Sequence, residues 1–397
     1  MAKMTFTGPW RYRISGYAAL MRLSFGTALR HATVRRLDPS WGMIHEIGVL
    51  FWRHQFTKAM NMDIREGRKL FDAVQTRTGL DPVLARTAAA PGEPSGVWTH
   101  PTEVTSDATL LYFHGGGYAF DAYMGDDFAA LLAEATGAPV FKAAYRLTPE
   151  HPHPAQQEDA LAAVRWMLDT VPPERLVLIG DSAGGHLTLM TLLAMRAAGL
   201  PQPALAVGLS PWTDIAPAGA SYAAHDRYDI VAGWMATRFG EWLTRDSVAA
   251  MREELSPVCH DFTGLAPLYL QAGGKEVLVD MIRTFATGQA AIGARVRLDV
   301  WPNMTHDFFG YGASRPETIA ALKRIGAAVQ AALEGRGLET VAETEADGWP
   351  APGNPCPRSG RGVLSDDRSV SRPGIGLLGN RGRYPRKPTP RPPPSSY

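Results

Sequence analysis

The pentapeptide Gly180-Asp181-Ser182-Ala183-Gly184 constrains this chain most, because it follows the apolar run Leu176-Val177-Leu178-Ile179 directly and precedes a helical pattern beginning near Gly185. A serine on a sharp strand-to-helix turn needs small neighbours, since the backbone doubles back where side chains would collide. Five letters alone are a weak signal. The strand-turn-helix setting makes them a nucleophile elbow with Ser182 at its tip and Asp181 and Ala183 beside it. The helix N-terminus adds partial positive charge where an oxyanion forms. The plainer alternative is a serine that only caps the next helix.

His114-Gly115-Gly116-Gly117-Tyr118 follows another apolar run, Leu110-Leu111-Tyr112-Phe113. Successive glycines let backbone N–H groups converge on a ligand oxygen with no side chain in the way. A flexible turn explains the glycines alone. With an elbow nearby they read as an oxyanion hole.

A serine hydroxyl needs a base, and the base needs an orienting carboxylate, in the chain order Ser, acid, His. His306 stands just past Val300-Trp301, and no later histidine follows. It is the expected base. For the acid, the segment Gly273-Gly274-Lys275-Glu276-Val277-Leu278-Val279-Asp280 offers two carboxylates. Glu276 lies in the loop itself and is the assignment; Asp280, one helical turn on, is the alternative, with a favourable place near a helix dipole as its ordinary explanation.

Around these residues, strand-like runs (108–113, 139–145, 176–179, 204–209, 268–272 and 296–301) alternate with helical stretches (156–168, 185–198 and 277–292). That alternation predicts an α/β domain with a largely parallel sheet, spanning 80–335. Residues 1–79 read as a helical cap, and 213–264 are too long for a simple connection and add to it. Tyr17, Leu20, Met21, Phe25 and Leu29 recur at helical spacing, and a second helix is expected to start at Ser40 as N-cap. The first stripe is expected to cover the acyl pocket as a lid. Its acid-free run of Lys3, Arg11, Arg13, Arg22, Arg30, Arg35 and Arg36 alternatively suits association with an anionic membrane surface. Residues 336–397, rich in Pro, Arg and Gly, are expected to be disordered; the Pro385–Pro388 spacing is of a kind common by chance in such sequence.

A net charge of +1 gives no reason to expect nucleic acid. The two cysteines, Cys259 and Cys356, build neither a disulfide framework nor a thiolate metal site and suit a cytoplasmic location. No run is long and apolar enough to span a bilayer. The expected partner is a small-molecule ester; a homodimer is compatible with the sequence, and no metal is expected.

Together these motifs resemble the hormone-sensitive-lipase-like branch of the α/β-hydrolases, the bacterial type IV esterases. The resemblance runs from about Trp98 to His306 and includes Tyr145-Arg146-Leu147-Thr148-Pro149-Glu150-His151-Pro152 and His306-Asp307-Phe308. It implies an α/β-hydrolase fold, an eight-stranded, mostly parallel sheet with helices on both faces and a helical cap. It also implies hydrolysis of short-chain acyl esters without metal or cofactor. The oxyanion donors would be the backbone N–H groups of Gly116, Gly117 and Ala183. Many members carry Asp where this chain has Glu276, and a subgroup resembling this chain uses Glu. Arg146 and Glu150 are expected to buttress the Gly116 loop. Lactone opening uses the same machinery. A non-catalytic small-molecule receptor, the reading from another class, fits poorly with Ser182, Glu276 and His306 all present.

Overall fold

Ten strands and eleven α-helices follow one another in the computed structural model, which describes residues 3–33, 35–77, 86–121, 123–310 and 315–338. The expected disordered tail lies outside the described residues beyond 338, as do Cys356 and the Pro385–Pro388 spacing. Strand β1 (Lys3–Phe6) precedes helices α1 (Trp10–Ala32), α2 (Met43–Met60) and α3 (Ile64–Asp72), and pairs antiparallel with β2 (Val74–Arg77). Then come β3 (Arg86–Ala88), β4 (Gly96–Thr99), β5 (Thr109–Phe113), α4 (Tyr123–Thr136), β6 (Val140–Ala143) and α5 (Ala155–Leu168). They lead into β7 (Leu176–Asp181), α6 (Ala183–Ala197) and β8 (Leu205–Leu209). Helices α7 (Ser221–Ala224), α8 (Gly233–Thr244) and α9 (Val248–Leu255) occupy the long interval before β9 (Leu268–Gly273). The order closes with α10 (Val279–Ala291), β10 (Val296–Trp301) and α11 (Pro316–Leu333).

The main sheet has eight strands in the order β10-β9-β8-β7-β5-β6-β4-β3, all running one way except β4, which is antiparallel to both its neighbours. From β5 the chain moves to β6 on one side and then crosses to β7 on the other. Such a reversal opens a crevice at the carboxyl ends of the two strands, where open α/β sheets place their ligands. The two motifs read as elbow and oxyanion hole end those two strands.

Alternation along the strands sends side chains to opposite faces. Leu111, Phe113 and Leu178 pack with Leu187 and Ile282 on one side. Leu110, Tyr112, Val177 and Ile179 pack with Leu132 and Ile325 on the other. Both faces are therefore covered, α6 and α10 lying on the first and α4 and α11 on the second. That explains why these strands read as continuous apolar runs.

Three local expectations change. Gly42, not Ser40, occupies the N-cap of α2; Ser40 instead donates to Asp38 through its N–H and its hydroxyl. Helix α10 begins at Val279, later than the apolar pattern suggests, because Gly273–Leu278 is committed to a turn at the site. The stripe on α1 does not cover a pocket. The buried residues of α1 are Tyr12, Gly16, Ala19 and Thr27; of the stripe, Leu20 is partly buried against the core, whereas Tyr17, Met21, Phe25 and Leu29 face solvent. Small side chains allow close approach: a Cβ on Gly16 would run into the ring of Phe6.

Candidate active site

Ser182 sits between β7 and α6 with φ 53°, the left-handed region that L residues adopt at a cost. Its backbone is pinned on both sides, the N–H donating to Leu209 O at 2.8 Å and the carbonyl accepting from His186 N at 3.0 Å. The turn is as tight as the sequence requires, since a Cβ on Gly180 would strike Gly184 O and one on Gly184 would strike Phe113 O. Ser182 occupies the N-cap position of α6, yet its side chain makes no capping hydrogen bond. The hydroxyl lies instead 2.8 Å from His306 Nε2.

His306 Nδ1 lies 3.0 Å from Glu276 Oε2, and both side chains are buried. The carboxylate accepts from Nδ1–H, which leaves Nε2 to face the serine. Asp280 is elsewhere: its Oδ2 accepts from Ser221 N at 2.8 Å and ties α10 to the segment after β8.

The glycine loop is held by the elbow's own aspartate. Asp181 Oδ1 accepts from Gly115 N at 2.9 Å and from the Tyr112 hydroxyl at 2.6 Å. Gly116 and Gly117 have φ of 101° and 63°, and a Cβ on Gly116 would meet Phe120 O. His114 is buried and stacks on Tyr145, whose hydroxyl donates to His114 O at 2.5 Å. Tyr118 donates its hydroxyl to His186 Nδ1 at 2.5 Å, while His186 Nε2–H donates to Leu255 O, so the loop is anchored to α6 and to the end of α9. Thr148 N donates to Tyr118 O at 2.8 Å. Glu150 acts through α3, pairing with Arg68, which also donates to Ala119 O and Thr148 O. Arg146 departs from expectation: it pairs with Glu158 and Asp159 on α5, away from the Gly116 loop.

Sequence reasoning missed Asp229. Its Oδ1 accepts from His306 N at 3.0 Å and Ile230 N at 2.8 Å, and its Oδ2 from Val277 N at 2.7 Å. One buried carboxylate thus holds the backbone of His306 and of the residue after Glu276. Burial pushes it up to about 7, opposed by the His306 imidazole. A lone Asp in a helical insertion gives no sequence signal of this. Trp41 and Asp38 add to the clamp: Trp41 Nε1–H donates to Asn303 O at 2.6 Å, and Asp38 pairs with Lys275 at 2.9 Å.

A small, partly open cavity lies at Ser182. Gly116, Gly117, Ala183 and His306 line its base with Ser182, while Phe56 of α2, Trp212, Ile230, Val231, Phe239 and Leu278 make apolar walls. Asp307 also lines it, with Oδ2 at 3.4 Å from His306 Nε2. Burial alone would lower the His306 pKa; the carboxylates of Asp307, Glu276 and Asp229 outweigh it and raise the group above its ordinary value. Among the described residues no cluster of His, Cys, Asp and Glu is placed to hold a metal ion. No helix among them is long and apolar enough to cross a membrane.

Residues 110–310 match the family model described as alpha/beta hydrolase fold. The acetyl-hydrolase of Streptomyces hygroscopicus is 34% identical over 304 residues, covering 76% of this chain and 99% of that protein. An ethyl acetate hydrolase from Pseudomonas putida is 31% identical over 238 residues, 56% of this chain and 73% of its own. Among solved structures, a hormone-sensitive lipase from a metagenome library superposes with a TM-score of 0.64 at 28% identity, covering 71% of this chain and 98% of that one. An esterase from the bacterial hormone-sensitive lipase family gives 0.61 at 29% identity, covering 80% and 98%. With the glycine loop and the serine elbow closing the two strands at the crevice, this chain belongs to the hormone-sensitive-lipase-like esterases of the α/β-hydrolase fold and is a carboxylic ester hydrolase.

Proposed function

We propose that the chain hydrolyses carboxylic esters of short to medium acyl length by two-step acyl transfer on Ser182. The observation that carries this is the continuous line from Ser182 Oγ through His306 to Glu276, ending at a cavity floored by Gly116, Gly117 and Ala183. His306 Nε2 takes the Ser182 proton as Oγ attacks the ester carbonyl. The tetrahedral oxyanion is held by the backbone N–H groups of Gly116, Gly117 and Ala183, fixed before substrate arrives. As the intermediate collapses, the acyl–oxygen bond breaks and His306 returns its proton to the departing alcohol. Water repeats the sequence on the acyl-enzyme and releases the acid. Glu276 stays ionised, fixes the imidazole tautomer and stabilises the imidazolium. His114, Gly115 and Asp181 support the loop and do not touch the reacting atoms.

The walls set by Phe56, Trp212 and Phe239 favour a small apolar acyl group, in keeping with the acetyl-hydrolase and ethyl acetate hydrolase relatives. We place the reaction in the reducing cytoplasm, in keeping with a chain of only two cysteines. A series of p-nitrophenyl esters from acetyl to dodecanoyl tests the reading: kcat/KM should be highest among the short and medium chains and fall steeply for the longest. A rate that keeps rising to dodecanoyl, or turnover of lactones alone, contradicts it.

A further inference from the structure

Helix α1 turns its large apolar side chains toward solvent. Trp10, Ile14, Tyr17, Met21, Phe25 and Leu29 recur every three or four residues and so form a single stripe, and each is between 51% and 76% exposed. At 1.5 Å per residue the helix is about 34 Å long. The opposite face is buried at Tyr12, Gly16, Ala19 and Thr27, with α1 packed on α2 and Gly16 set against Phe6 of β1, so the stripe is not a core face turned the wrong way.

The charges around the stripe have one sign. Every arginine or acid on α1 is an arginine: Arg11, Arg13, Arg22 and Arg30, followed by Arg35 and Arg36 before the first carboxylate, Asp38. Arg11 pairs with Glu66, and Arg30 with Glu46. At 3.6 residues per turn, Arg13 falls on one flank of the stripe and Arg22 on the other, and both are exposed. An aromatic and aliphatic stripe flanked by arginines is the pattern of a helix lying in a membrane interface.

We propose that α1 docks this face in the plane of an anionic lipid surface, its stripe at the boundary between headgroups and acyl chains and its arginines against lipid phosphates. Charge favours lipid over a second copy of the chain. A two-fold pairing of this face with itself would set one arginine flank against another, where like charges oppose association. Docking would also bring the cap to the surface, because α1 packs on α2 and α2 contributes Phe56 to the cavity wall.

The test is co-sedimentation of the full chain with vesicles of phosphatidylcholine alone or mixed with phosphatidylglycerol, alongside light scattering of the free protein. The expected result is capture by the mixed vesicles, little by the neutral ones, and release at high salt. Each of Arg13→Gln and Arg22→Gln should weaken partitioning about fivefold. The double variant Met21→Glu, Phe25→Glu should abolish capture while leaving hydrolysis of a soluble acetyl ester unchanged. Absence of capture by the mixed vesicles overturns the proposal. So does equal capture by both vesicle types, or a dimer of the free protein that Phe25→Glu converts to monomer.

Discussion

The loops at the carboxyl edge of the sheet and the solvent face of α1 differ in what holds their side chains. At the sheet edge, Ser182, Glu276 and His306 each meet another residue at hydrogen-bond distance, and Asp229 fixes the backbone that carries two of those loops. On α1, Trp10, Ile14, Tyr17, Met21, Phe25 and Leu29 meet mainly solvent. Between the two lies α2, which buries Val49, Phe51, Trp52, Phe56 and Met60 and gives Phe56 to the cavity. The lesson is that chemical demand is concentrated where backbone and side chain are both over-determined, and that the effect of substitution should decline outward from Ser182.

The steepest test of that gradient is at its centre. Ser182→Ala and His306→Ala should each lose about 10⁴ to 10⁶ in kcat with an unchanged circular-dichroism spectrum; a variant that keeps a tenth of the rate breaks the assignment. Next comes the choice of acid. Glu276→Gln should lower kcat by about 10² or more, because the imidazolium loses its partner, whereas Asp280→Asn should change kcat by less than about threefold. The reverse ranking in steady-state kinetics would move the acid to Asp280.

One shell out, Asp229→Ala strands the N–H groups of Val277 and His306, at about 1–3 kcal/mol for each buried unpaired group. The expected outcome is a lower melting temperature and a fall of about ten- to a hundredfold in kcat with a smaller change in KM, since the catalytic loops shift while the apolar walls stay. An unchanged kcat at reduced stability would make Asp229 a purely structural residue.

Asp307 sharpens the picture through pH. His306 accepts a proton only when neutral, so kcat/KM should rise with pH as the imidazolium deprotonates, with an apparent pKa above the ordinary histidine value. Asp307→Asn removes a negative charge that raises that pKa, so the acid limb should move to lower pH. A shift to higher pH, or none, in the kcat/KM profile would contradict the electrostatics. At the outer end, Met21→Ala on α1 should alter stability by less than about 0.5 kcal/mol and leave hydrolysis of soluble short esters unchanged. Phe56→Ala, from the cavity wall, should raise KM.

Much of the fold is legible in the sequence, and the reasons differ by element. The parallel strands are covered on both faces, so they appear as apolar runs, and small residues at Gly180 and Gly184 mark a turn that admits nothing larger. Strands β3 and β4 escaped because they are short, with Thr87 and Ala88 of β3 exposed and β4 mostly only partly buried. Periodicity showed that α1 has an apolar stripe but carries no information on what the stripe faces; the buried side is the one with Gly16 and Ala19, where close approach rather than side-chain size decides the packing. Asp229, Trp41 and the Tyr118–His186 pair were invisible because each acts across a long sequence separation through backbone or ring atoms that no local pattern encodes.

The central claim is that Ser182 is the acyl-accepting nucleophile and that His306 activates it. The most direct measurement is active-site labelling with diethyl p-nitrophenyl phosphate, followed by intact-mass and peptide analysis of the wild-type chain and of His306→Ala. The account predicts one diethylphosphoryl group per chain, located on Ser182, with complete loss of esterase activity and labelling at least about 10³-fold slower in the variant. Complete labelling on another residue, or full esterase activity after Ser182 is modified, would contradict it.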